Sequence, residues 1–60
     1  MEKFNQLKQL LEDVETDAVK FFEMGNKAAG TRVRKAMMEV KVQAQEVRKE
    51  VQSIKNKTEE

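Results

Sequence analysis

The apolar positions of the first 24 residues fall on one helical line. Phe4, Leu7, Leu11, Val14, Ala18 and Phe21 are spaced 3, 4, 3, 4 and 3 residues apart. That alternation holds side chains on a single helix face, in the manner of a coiled-coil seam. The pattern stops at Met24-Gly25-Asn26. Glycine adopts the left-handed backbone that ends helices, and asparagine accepts from the unpaired N–H groups that begin them. The expectation is a helix near 2–23 and a tight turn at 24–26. A second seam follows: Val33, Met37, Val40, Ala44, Val47, Val51 and Ile54, spaced 4, 3, 4, 3, 4 and 3. It predicts a helix near 27–56, with Lys57 to Glu60 fraying. Gly30 lies in the first turns of that helix, where glycine costs about 1 kcal/mol against alanine. Its lack of a side chain leaves room for close approach of the first helix or of a phosphate.

Two helices with facing seams and a short connection make an antiparallel hairpin. The fold class is all-α, with residues 1–60 as one domain. Residue i then faces roughly residue 50 − i, as a two-helix hairpin about Gly25 requires. The first helix runs out opposite about Lys49, so Val51 and Ile54 extend past it. Leu10, Val19, Phe22, Met38 and Val42 also lie off the strict seam. A chain this short buries only about 60% of the surface its unfolded form exposes. It has no cysteine and no histidine, so neither a disulfide nor the usual zinc ligands can staple it. A second copy is the expected stabiliser, giving a coiled-coil or four-helix assembly. Its interface is expected at Val47, Val51, Ile54, Phe22 and Met38. The alternative is that these side chains stay half exposed, as many surface apolar groups do.

Charge changes the picture. Residues 1–24 carry three lysines against six acids, and residues 25–60 carry nine cations against five acids. The net charge of +1 therefore conceals an acidic first helix and a basic second one. Lys27, Arg34, Lys41, Arg48 and Lys55 recur every seventh residue. A seven-residue step returns to nearly the same helix face, which builds a basic stripe roughly 40 Å long. Phosphate backbones are recognised by such surfaces. A competing explanation is that the polarity only joins the helices. The pairing rule places Glu15 opposite Arg34, but it also places Lys8 beside Lys41. The start of the second helix, Asn26-Lys27-Ala28-Ala29, offers free N–H groups and the positive dipole end. With Lys27, Arg32, Arg34 and Lys35 nearby, it is the expected point of densest phosphate contact.

Other chemistry is poorly supported. Gly25 to Thr31 reads GNKAAGT, a partial likeness to a nucleotide-binding loop, but the lysine before Thr31 is missing and no strand precedes it. Glu12, Asp13, Glu15 and Asp17 sit on a helix without the glycine turn of a calcium loop. Met37 and Met38 suit core filling. No nucleophile–base pair is evident, so neither catalytic residue, metal site nor cofactor is expected. Met1-Glu2-Lys3-Phe4 opens no signal peptide, and no apolar run reaches the roughly 18 residues of a membrane span. The Val- and Ala-rich apolar face without tryptophan also differs from a membrane-surface helix.

The segment Gly25-Asn26-Lys27-Ala28-Ala29-Gly30-Thr31-Arg32-Val33-Arg34-Lys35 resembles the central segment of the chlamydial-type, linker-histone-like bacterial proteins. The shared pattern is GNKAA, two variable residues, then RVR. The resemblance implies a nucleoid-associated protein that binds and compacts DNA without strong sequence preference, through a helical module that self-associates. Members continue into a long lysine- and alanine-rich tail, whereas this sequence reaches Lys57-Thr58-Glu59-Glu60. The expectation is a short form in which the hairpin makes the DNA contact itself or acts as a dimeric bridge. Lys27, Arg32, Arg34, Lys35, Lys41 and Arg48 are the expected contacts to double-stranded DNA, with Lys49 and Lys55 extending them. The expected location is the nucleoid, in the cytoplasm. The alternative is a structural coiled-coil module that binds another protein.

Overall fold

The computed structural model describes residues 1–58. Among them the chain forms two helices, α1 (Glu2–Met24) and α2 (Lys27–Thr58), packed as an antiparallel hairpin. The molecule measures 52 × 15 × 13 Å. Its length is that of α2, whose 32 residues exceed the 23 of α1.

The connection is shorter than its sequence suggests. Met24 is the last residue of α1, which leaves only Gly25 and Asn26 between the helices. Gly25 takes φ 70° and ψ 22°, the left-handed cap that an L side chain rarely adopts. Its N–H donates to the Phe21 carbonyl at 3.1 Å, and the Asn26 N–H reaches the Lys20 carbonyl at 3.0 Å. Asn26 then caps α2, its Oδ1 accepting from the Ala29 N–H at 3.0 Å. Both turn residues thus serve as expected. At the far end α2 continues through Lys57 to Thr58 rather than stopping at 56. Glu59 and Glu60, the rest of the segment expected to fray, lie outside the described residues.

Two ion pairs read out the register. Asp17 pairs with Arg32 and Lys3 with Glu46, so residue i stands level with residue 49 − i. The N-terminal end of α1 is therefore level with Val47, and Val51 and Ile54 lie exposed beyond it.

The hairpin is rolled relative to the strict seams. Leu7, Leu10, Val14 and Ala18 point toward α2, while Val33, Ala36, Val40, Ala44 and Val47 point toward α1. Leu10 was expected off the seam, yet it is half-buried, and Leu11 is 47% exposed. Met37 is also displaced outward, at 40% exposure. One helix can cover only part of a neighbour's apolar stripe, and here it covers the Leu10 and Ala36 side.

The tightest contact is at the turn. Phe21 lies over Gly30, and Ala29 is fully buried beside it. A Cβ built on Gly30 would stand 2.5 Å from Phe21 Cδ1. Phe21 is steadied in turn by an edge-on contact with Phe22, ring centroids 5.0 Å apart. Gly30 thus admits α1 rather than a phosphate. In an open helix Gly→Ala stabilises by about 0.5–1 kcal/mol. Gly30→Ala is expected to destabilise instead, by about 1–2 kcal/mol, because overpacking displaces the ring. In a Phe21→Ala background the same substitution should turn neutral or stabilising. Urea unfolding of the four members of this cycle checks the sign reversal.

Candidate nucleic-acid interface

Helical geometry sorts the side chains of α2 into three longitudinal strips. With Val40 facing α1 and about 100° per residue, Lys27, Arg34, Lys41 and Arg48 lie about 80–140° round on one side. The same count puts Arg32 and Glu46 on the opposite side, and Thr31, Met38, Val42 and Lys49 on the face turned away from α1. The hairpin therefore has two unlike flanks and an outer face.

One flank is ionic. Arg32 holds Asp17 with two bonds, Nε to Oδ2 at 3.1 Å and a terminal nitrogen to Oδ1 at 2.9 Å. That fork suits a carboxylate and marks the roll of the two helices. Lys3 approaches Glu46 at 3.7 Å, and Lys49 reaches the other Glu46 oxygen at 3.4 Å. The hydrogen bond from Arg32, helped by its charge and by Lys20, holds the Asp17 carboxyl below its ordinary range. The same bond raises Arg32.

The other flank is open. Leu11, Val14, Ala18 and Met37 line a shallow groove between the helices, and Phe21, Phe22, Gly30 and Val33 line another nearer the turn. Lys27 and Arg34 border the second groove, and Lys8, Glu12 and Glu15 border the first. Val33, Val40 and Val47 share the seven-residue step of the cations, so the stripe keeps a constant angle to the seam that faces α1.

The expected DNA contacts divide between these strips. Lys27, Arg34, Lys41 and Arg48 are brought into one line, all exposed. Among the described residues these four make no ion pair within the chain. Lys35 is exposed on the outer face, and Arg32 is engaged by Asp17. Lys49 is tied to Glu46, and Lys55 continues the stripe beyond the end of α1. The cross-helix pair is thus Asp17–Arg32 and not Glu15–Arg34, although both satisfy the same register. The reason is angular: Asp17 and Arg32 lie nearer the contact line, whereas Glu15 and Arg34 diverge from it. This offset is readable from a helical wheel once the roll is known.

The start of α2 is less open than its small residues imply. The Ala29 N–H is used by Asn26 Oδ1, the Gly30 N–H reaches the Asn26 carbonyl at 3.2 Å, and both residues are buried. These two donors are closed to an anion. The expected dimer residues also separate. Phe22 stands on the open flank at 74% exposure, and Val47 is half-buried in the seam. Val51 and Ile54 follow the seam line past α1, and Met38 lies on the outer face, 71% exposed. Among the described residues no three of Asp, Glu, His or Cys converge as a metal site, and no helix is long and apolar enough to cross a membrane.

The slender helical hairpin thus sorts its charges, among the described residues, into a self-paired flank and a line of four exposed cations. The sequence profile of the family described as histone H1-like protein Hc1 matches residues 1–57. The chain belongs to that family, which places it among histone-like, DNA-binding proteins. No curated protein and no solved structure matches the chain.

The depressed Asp17 carboxyl links stability to pH. A group whose folded value lies below its unfolded value stabilises the fold above the unfolded value, near 3.9, and loses that contribution as pH falls through the folded value. Asp17→Asn should lower the melting temperature at pH 7. The gap from the parent should start to close as pH falls below about 3.9 and vanish below the folded value, where the parent carboxyl is protonated in both states. Thermal melts of both proteins from pH 7 to pH 2 check this. A gap of equal size throughout would show that the charge of Asp17 is not what stabilises the turn-proximal end.

Proposed function

We propose that this protein binds double-stranded DNA through its phosphates, without strong sequence preference, using the cationic line of α2. The observation that carries the reading is the sorting of charge. The cross-helix ion pairs stand on one flank, and Lys27, Arg34, Lys41 and Arg48 stand exposed and unpaired along the other. From Lys27 to Arg48 the line is about 32 Å long at 1.5 Å per residue, close to the roughly 34 Å of one turn of duplex. Lys35 adds to it from the outer face, and Lys55 extends it. Arg32 contributes least, since its guanidinium already serves Asp17. The mechanism is charge neutralisation with release of counterions. Base reading is not expected, because glutamine on that face is sparse, Gln45 and Gln52 standing only beside Arg48, and cannot specify a site.

A dimer carries two such lines and can bridge or bend duplexes, which suits a nucleoid protein that condenses the chromosome. The open apolar flank also favours a second reading, a coiled-coil module whose principal partner is another protein. The two readings differ in what salt does. Binding of an arbitrary short duplex, followed by fluorescence anisotropy across a salt series, should weaken linearly in log salt by about 0.9 per phosphate contacted. Arg34→Ala should reduce the slope by about 1, and Arg34→Glu with Lys41→Glu should abolish binding. Duplex binding that is negligible even at low salt would reject the DNA reading and favour the protein-binding module. Compaction by a constitutively monomeric variant would reject bridging.

A further inference from the structure

Two shallow grooves open on the flank away from the cross-helix ion pairs, and they are not alike. The one over Leu11, Val14, Ala18 and Met37 is bordered by Lys8, Glu12 and Glu15 and has no aromatic ring in its lining. The one nearer the turn is walled by Phe21, Phe22 and Val33, and among the described residues its charged lining is Lys27 and Arg34, with no acid. Its volume of about 300 Å³ stands at the small end of the range for ligand sites. Phe21 is held in place over Gly30, whereas Phe22 is 74% exposed. The planes of the two rings meet at 76°, with centroids 5.0 Å apart, so the rings form a corner. A flat aromatic group laid on one ring meets the other at its edge, and both contacts are favoured aromatic geometries.

We infer that this groove takes one unpaired base of a DNA strand, stacked on Phe22, while the phosphates on either side of that base meet Lys27 and Arg34. The inference rests on the proposal that the cationic line of α2 binds DNA, and it gives that line a preference for duplex interrupted by an unpaired nucleotide. Charge and shape together select the occupant. An acyl chain or a leucine would fill the apolar floor but would bring nothing to the two cations. A base is flat, offers two π faces and arrives with a phosphate on each side. Single-stranded nucleic acid is held in this way generally, with aromatic rings for the bases and cations for the backbone. Lys27 and Arg34 are one heptad apart on the same side of α2, about 10 Å along the axis, so they bracket the groove. In an intact duplex each base is already stacked and paired, and extracting it is unfavourable. A bulged base has no pairing partner to lose. Lys41 and Arg48 continue the line away from the turn, exposed, and serve the paired DNA beside the bulge. Stacking accepts any base, so the preference is for the unpaired state and not for a sequence. The other groove does not compete, since Glu12 and Glu15 at its border repel phosphate.

Two duplexes of the same arbitrary sequence, one intact and one carrying a single bulged adenine, test the site by fluorescence anisotropy at one low salt concentration. The bulged duplex should bind roughly 5- to 150-fold tighter, the range for one base stacked on an aromatic side chain. Phe22→Ala and Phe22→Leu should each bring that ratio near one, and Phe22→Trp should keep it. With 2-aminopurine as the bulged base, the parent chain should quench its fluorescence and Phe22→Leu should not. Because Phe22 is exposed, each variant should keep the parent's helix by circular dichroism and the parent's mass by sedimentation equilibrium. Equal affinity for the two duplexes would overturn the site and leave the DNA reading standing. Failure to bind either duplex would overturn both. A preference that survives in Phe22→Ala or Phe22→Leu would overturn stacking on Phe22. So would a lower mass for Phe22→Ala, which would assign that ring to an interface between copies.

Discussion

The roll at which the two apolar stripes meet governs how this hairpin presents itself, and the bidentate contact between Arg32 and Asp17 marks it. Two apolar stripes can meet at more than one roll angle, and each roll leaves different side chains outside. Asp17 stands close to the contact line on α1, and Arg32 stands close to it on α2. Their fork closes the flank on which Leu10 and Ala36 turn inward. Leu11, Met37 and Phe22 are left outward on the other side. At the turn, Phe21 seated over Gly30 completes the constraint, since only glycine admits the ring at that distance.

From that roll the distribution of charge follows. Arginine and lysine on the closed flank are matched to acids of the opposite helix. Lys27, Arg34, Lys41 and Arg48 lie on the other side of α2 and make no ion pair among the described residues. A charge that is unpaired and exposed costs little in water, so the arrangement is tolerable for the isolated chain. It becomes useful when a polyanion supplies the missing counter-charges. On the proposed function, folding and DNA binding use different cations of one helix, and Arg32 and Arg34, only two residues apart, fall on opposite sides of that division.

Much of the architecture was legible in the sequence because it depends on local signals. The 3–4 spacing of Phe4 to Phe21 and of Val33 to Ile54 marked both helices. Gly25 and Asn26 marked the turn, since left-handed backbone and side-chain capping each need a specific residue type. The register came within one residue. The roll was not legible, because Leu10 and Leu11, or Ala36 and Met37, satisfy the same periodicity equally well. Only the tertiary contact chooses between them. The same ambiguity led the pairing to Glu15–Arg34 where the fold uses Asp17–Arg32. The start of α2 looked open to an anion because small residues permit access. They also permit burial, and here Phe21 occupies the space. The cationic line itself was visible, being a matter of counting sevens, but that Lys27, Arg34, Lys41 and Arg48 make no ion pair among the described residues depended on the roll.

The central claim is that the line of Lys27, Arg34, Lys41 and Arg48 meets phosphate while the Asp17–Arg32 flank stays with the fold. Amide chemical-shift mapping of the isotopically labelled protein, titrated with a short duplex of arbitrary sequence at low salt, addresses it residue by residue. The account predicts perturbations that recur along α2 at those four positions and their neighbours, with Asp17 and its side of α1 unmoved. Perturbations centred on α1 or on the Asp17–Arg32 flank would contradict it.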